Sequence, residues 1–137
     1  MDHVAWIVMG DDRPELPGIG VARWVRLPED PAIAETGLIV QDAYQGRGLG
    51  TLLFAVLNET ARHGGLVTLR SMVLGENNRF IATLVTYGAN LKHESHGLMR
   101  VDLPVYSELE GTGTQRVPSA VYAKAIAEVR TRLRDPA

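Results

Sequence analysis

Cysteine is absent from the 137 residues, which removes disulfides, thiol nucleophiles and cysteine-ligated metal centres from consideration. An excess of one charge is lacking too. The formal net charge is −2, and the basic residues are scattered apart from Arg130, Arg132 and Arg134, so no nucleic-acid partner is expected. No apolar run approaches the roughly 18 residues of a membrane helix. Met1-Asp2-His3 does not open the charged-then-apolar pattern of a secretory leader, and a cytoplasmic protein without membrane contact is the expectation. His63, His93 and His96 are not at the spacing of a helical zinc motif, and a lysine adjoins His93, so no metal is expected.

What remains is ordinary globular composition, 45% apolar and 22% charged, in a chain sized for one core rather than two. Residues 4–9, 20–25 and 33–40 read as three strands of a meander. The turns between them are built from Asp, Pro and Gly in one case, and from two prolines and three charges in the other. The period then changes. Leu49, Leu52, Leu53, Val56, Leu57 and Thr60 recur at helical spacing until Gly64-Gly65, and 66–73 returns to strand-like residues. Strand, glycine-rich turn, helix and strand make a βαβ unit whose two strands run parallel. A second helix is expected over 76–87, with Phe80, Ile81 and Leu84 inward. Two short strands follow near 90–94 and 97–103. After a loop, a final helix begins near Pro118 with Val121, Ala125, Val129 and Leu133 as its apolar stripe and Ile126 at the edge.

The turn Gln45-Gly46-Arg47-Gly48-Leu49-Gly50 lies between a strand and an amphipathic helix. Glycines leave backbone amides uncovered, and the amides of a first helical turn lack internal partners and sit at the positive end of the dipole. Such a turn is a phosphate cradle or a plain connection. It is not a P-loop, because no Lys precedes Thr51, and it is not the dinucleotide fingerprint, because its glycines are spaced by twos.

In its context the turn is more specific. Gln45-x-x-Gly48-x-Gly50, preceded by Val40-Gln41-Asp42-Ala43-Tyr44 and followed by Thr51-Leu52-Leu53, resembles the coenzyme motif of the GNAT N-acetyltransferase superfamily. Glu76-Asn77, the helix after it and Tyr87-Gly88-Ala89 resemble that family's later asparagine-bearing helix. The resemblance runs from Gly18 to about Asp102, and the same stretch is similar to the catalytic domain of actinobacterial protein-lysine acetyltransferases.

The resemblance implies an α+β, acyl-CoA N-acyltransferase fold: a mixed, mostly antiparallel sheet with a splayed parallel strand pair and flanking helices. The family's first strand and first two helices are expected to be absent. The implied division is a shortened acetyltransferase domain over 1–103, with a linker and helix over 104–137 packed on that domain or on a partner subunit. A homodimer is expected from sheet-edge exposure.

The implied co-substrate is acetyl-CoA. Leu38 and Val40 would bond its pantetheine arm through their backbone. The pyrophosphate would lie at the turn Gln45, Gly46, Arg47, Gly48, Leu49, Gly50 and Thr51, and Asn77 would approach from the far side. Asn77 reads equally well as a helix N-cap. The acceptor would be a protein lysine or a small-molecule amine.

Amine acetylation needs a base, a polarised carbonyl and a stabilised leaving thiolate. Glu35 shares a strand face with Ile33 and Ile39. It is either a solvated edge carboxylate or the base, since the matching family position often carries a glutamate. Many relatives place a tyrosine acid seven residues beyond the asparagine, where this chain has Leu84. Tyr87, one turn further on, reads as a core residue, and the general acid stays unassigned. The competing reading is a degenerate module that binds acyl-CoA without catalysis.

Overall fold

In the computed structural model, residues 2–8, 20–40, 48–111 and 117–134 are described. Runs rich in apolar, β-branched and aromatic residues build β1 (His3–Val8), β2 (Gly20–Leu27) and β3 (Asp30–Val40), an antiparallel meander. α1 (Leu49–His63) leads to β4 (Thr68–Leu74), which pairs parallel with β3. α2 (Asn78–Thr86), β5 (Asn90–Ser95), β6 (Leu98–Pro104) and α3 (Ala120–Arg134) complete the order. Among the described residues the sheet runs β1-β2-β3-β4-β6-β5, with β3–β4 as its one parallel neighbour pair. The fold is the expected α+β arrangement, a mixed and mostly antiparallel sheet with flanking helices.

Period-two alternation divides the sheet into unlike faces. One carries the buried Ala22, Trp24, Ala34, Leu69, Val101 and Leu103, and α1 packs across it. Burying each large aliphatic there contributes about 1.5–3 kcal/mol. Trp24 is fully buried and satisfies its indole by donating from Nε1 to Thr60 Oγ1 at 2.9 Å. The opposite face carries Arg23, Val25, Glu35, Arg70, Arg100 and Asp102, all exposed or half-buried.

α1 is buried on more than the single stripe expected of it. Leu52 is 39% exposed, whereas Phe54, Asn58 and Glu59 are buried, because α3 covers a second side of the helix. α3 itself is rotated from the expected stripe. Tyr122, Ile126 and Val129 face inward, while Val121 is 69% exposed and Leu133 39%. Tyr122 sets this rotation. Its ring stacks on Tyr87 at 4.4 Å, meets Tyr106 edge-on at 6.0 Å, and its hydroxyl donates to the Phe54 carbonyl at 3.2 Å. A buried aromatic with a satisfied hydroxyl outweighs a valine. Phe54 also meets Phe80 and Tyr87, which draws α2 into the same core.

Gly88 ends this aromatic layer at a positive φ of 104°. A Cβ there would fall on the Tyr106 hydroxyl, which donates to the Tyr87 carbonyl at 2.8 Å. Gly88→Ala is expected to lower stability by about 2–3 kcal/mol from backbone strain and displaced packing. A shift of the urea midpoint with unchanged slope measures it.

Candidate functional site

β3 and β4 begin as neighbours and then part. Their register is Ile33–Thr68, Ala34–Leu69 and Glu35–Arg70, and it goes no further. Both strands nevertheless continue, because each is held on its outer edge. β3 stays paired with β2 as far as Val40, and β4 stays paired with β6 as far as Leu74. Between Thr36–Val40 and Ser71–Leu74 the inner edges lose their ladder and a V opens. At its apex a side-chain bond replaces the backbone rung, with Thr36 Oγ1 and Ser71 Oγ 2.5 Å apart. Ser71 is buried on the apolar face of β4, between Leu69 and Val73. That small hydroxyl, interrupting an apolar alternation, is the signal that sequence reasoning passed over.

The V opens at the carboxyl ends of the parallel strands, where α/β sheets bind ligands beside helix N-termini. α1 begins after β3, with Gly48 as its N-cap in the left-handed region at φ 76°. Only glycine holds that conformation without strain. The first helical bond runs from Leu52 N to Gly48 O at 3.1 Å. The amides of Leu49, Gly50 and Thr51 are therefore outside the helical ladder. Among the described residues nothing lies within 4 Å of where a Cβ would stand on Gly48 or Gly50, and the first turn holds no acidic residue. The result is an open, electropositive amide cradle that fits a pyrophosphate. Leu49 is half-buried and packs on the core beneath it.

Thr51 is tied down from α2. Its Oγ1 and the Tyr87 hydroxyl share a short hydrogen bond, and Tyr87 is 4% exposed. Burial pushes the Tyr87 phenol up from its ordinary value, against a smaller opposing effect of the Thr51 bond. Tyr87 is thus a neutral, packed phenol that fixes the cradle. Leu84, seven residues beyond Asn77, is buried in the core.

α2 begins directly after β4, so Asn77 also lies at the carboxyl end of the parallel pair. It occupies the N-cap position without making a side-chain cap bond, and it is exposed. Its amide is therefore not engaged as the helix's own cap. Leu38 and Val40 lie on the part of β3 that has left β4. Glu35 stands on the last paired rung, opposite Val25 on β2 and beside Arg70 on β4, exposed on the face away from the helices. Arg70 is held by Asp102 through two hydrogen bonds, Nε to Oδ1 at 2.9 Å and Nη2 to Oδ2 at 3.2 Å. That pairing raises the guanidinium's pKa and leaves Glu35 without a hydrogen bond or ion pair among the described residues.

Gln45, Gly46 and Arg47 lie outside the described residues. The structure thus sets Leu38, Val40, Gly48, Leu49, Gly50, Thr51 and Asn77 toward the open end of the V, and Glu35 on the last rung before it opens, on the opposite face of the sheet from α1. Among the described residues no group of His, Asp and Glu could hold a metal ion, and no helix is long and apolar enough to cross a membrane.

Residues 3–84 match the sequence model of the Acetyltransferase (GNAT) family. Acetyltransferase Pat of Mycolicibacterium smegmatis is 30% identical over 104 residues, covering 76% of this chain and 31% of that protein. The chain therefore spans under a third of the length of that curated relative. The GNAT domain of S. lividans PAT superposes with a TM-score of 0.67 at 27% identity, over 75% of this chain and 61% of that one. A cAMP-binding acyltransferase from Mycobacterium smegmatis superposes with a TM-score of 0.64 at 26% identity, over 97% of this chain and 39% of that one.

Proposed function

The chain belongs to the Acetyltransferase (GNAT) family, and we propose that it transfers the acetyl group of acetyl-CoA to a primary amine, on a protein lysine or a small molecule, by direct attack on the thioester. The observation that carries this reading is the V between β3 and β4, which opens beside the bare amide cradle of α1. An extended pantetheine arm carries amides of its own. The free edge of β3, at Leu38 and Val40, offers it the backbone groups that β4 no longer uses. At the cradle, amides of Gly46, Gly48, Gly50 and Thr51 would take the pyrophosphate. On this reading Gln45, Arg47 and Leu49 would contribute to the same turn, and Asn77 would close on the coenzyme from the other side.

Acetyl-CoA supplies an acyl group already activated as a thioester, with a thiol as leaving group. The remaining work belongs to the protein. The backbone amide near Leu38 polarises the carbonyl, and Glu35, directly or through one water, takes the proton that the attacking amine must lose. A new C–N bond forms as the C–S bond breaks, and the departing thiolate takes its proton from solvent. No side-chain acid is assigned, because Leu84 cannot donate and Tyr87 is committed to Thr51.

The absence of a hydroxyl at Leu84 favours a second reading, a module that binds acyl-CoA without turning it over. One experiment separates the two. Calorimetry with acetyl-CoA is expected to show stoichiometric binding, and thiol release is expected when lysine-containing peptides or small amines are added. Binding without release across that panel supports the module, whereas no binding removes both readings.

A further inference from the structure

The sheet face that carries Glu35 holds a second polar element that the reaction above does not use. Arg23 on β2 stands directly opposite Gly37 on β3, two residues beyond Glu35 on the same face. Its side chain lies down over that glycine. A Cβ on Gly37 would meet Arg23 Nε at 3.3 Å and Cγ at 3.6 Å. A larger residue at 37 would push the guanidinium off the strand, and glycine makes its resting place beside the V.

The charges around it are unequally matched. Arg70 is bound by Asp102. Arg100 lies 3.4 Å from Asp102 and 4.0 Å from Glu94. Arg23, by contrast, has no hydrogen bond or ion pair among the described residues. It is an exposed cation laid flat against the strand that carries the base.

Resting on the acetyl-transfer reading, we propose that Arg23 selects the acceptor by binding a carboxylate carried a fixed distance from the reacting amine. The helices and core close the cradle side of the sheet, so the amine reaches the thioester from the face of Glu35. Two residues along a strand span about 7 Å, which sets the separation between the amine at Glu35 and an anion over Gly37. An α-amino acid is too short for this. The side-chain amine of lysine, measured to its own carboxylate or to an acidic neighbour in a peptide, has the required reach.

The test compares matched probes with the intact chain and saturating acetyl-CoA. Nα-acetyl-lysine is set against its carboxamide, and a Glu-Lys-Glu peptide against Gln-Lys-Gln, so that a free acid and an acidic peptide are read separately. The wild-type protein is expected to favour the carboxylate member of at least one pair by about fivefold in kcat/KM, a preference that shrinks as salt is raised. Arg23→Gln should bring that ratio to near one, Arg23→Lys should keep part of it, and Arg23→Glu should invert it toward an Arg-Lys-Arg peptide. Thermal unfolding of each variant separates misfolding from altered choice. Transfer to both members of each pair at equal rates, or an unchanged ratio in Arg23→Gln, overturns the role of Arg23 alone. Absence of transfer to every probe overturns the acetyl-transfer reading together with it.

Discussion

Glu35→Gln is expected to slow acetyl transfer about a hundredfold while leaving acetyl-CoA binding intact, the low end of what a positioned base contributes. The substitution keeps the size and hydrogen-bonding shape of the side chain and removes only its basicity. Binding should survive because Glu35 occupies the last β3–β4 rung on the helix-free face. The cradle amides belong to α1, which packs on the other face. Nor is the carboxylate spent elsewhere: its cationic neighbour Arg70 is held by Asp102.

An amine such as lysine, with a pKa of about 10.4 in water, is almost wholly protonated near neutrality. Without Glu35 the proton must go to solvent. The deficit of the variant should therefore narrow as pH is raised toward the amine's own pKa, and a pH series of thiol release checks this. A rate equal to wild type would remove Glu35 from the chemistry. A parallel loss of acetyl-CoA affinity would assign it to binding.

Much of this architecture can be read from residue order. Strand-like apolar runs broken by Asp, Pro and Gly point to the meander, the three-and-four spacing of α1 points to the crossover, and Gly48 and Gly50 mark the start of α1 on which a coenzyme reading depends. What periodicity could not supply were contacts between elements far apart in sequence. Thr36 and Ser71 meet only because β3 and β4 start in register and then part. Tyr87 reads as core, and it is core, yet its hydroxyl also reaches Thr51 across 36 positions. Arg23 looks like any solvated strand arginine until the register sets it over Gly37. The buried stripe of α3 differs from the periodic one for a related reason. Helical spacing fits Val121 and Leu133 as well as Tyr122 and Ile126, and only the rings of Tyr87 and Tyr106 decide between them.

Glu59 is the clearest case of a residue that helical spacing would assign to solvent. Its side chain is 1% exposed and lies between Arg62 on its own helix and Arg130 on α3. Arg62 Nε donates to Oε2 at 2.7 Å, Arg130 Nη2 to the same oxygen at 3.3 Å, and Arg130 Nε to Oε1. Arg130 also donates from Nη1 to the Ser107 carbonyl at 3.1 Å. The neighbouring Asn58 clamps the Tyr106 backbone from both sides, at 3.0 and 2.7 Å. α1 thus holds α3 and the segment after β6 through one buried polar network.

Glu59→Gln leaves two guanidinium groups without their shared anion, and breaking a buried pair in this way costs about 3–5 kcal/mol. The expected result is a Tm lowered by about 10–17 °C for a domain of this size. Replacing Glu59 by Leu and Arg130 by Met together should cost less than the two single changes added, because the interhelical guanidinium is removed with its anion and only the half-exposed Arg62 is left without one.

Acid should act on the same network. Burial works to raise the Glu59 carboxyl, but hydrogen bonds from Arg130 and then Arg62 outweigh it and hold the group below its ordinary value. A carboxylate depressed in the folded state contributes stability that is complete above the unfolded value, about 4.3. That contribution is lost as pH falls through the lower folded one. Thermal melts between neutral pH and about pH 3 should show the wild-type protein losing stability across that window, with Glu59→Gln giving a flatter acid limb. Parallel limbs for the two proteins would place the acid sensitivity elsewhere.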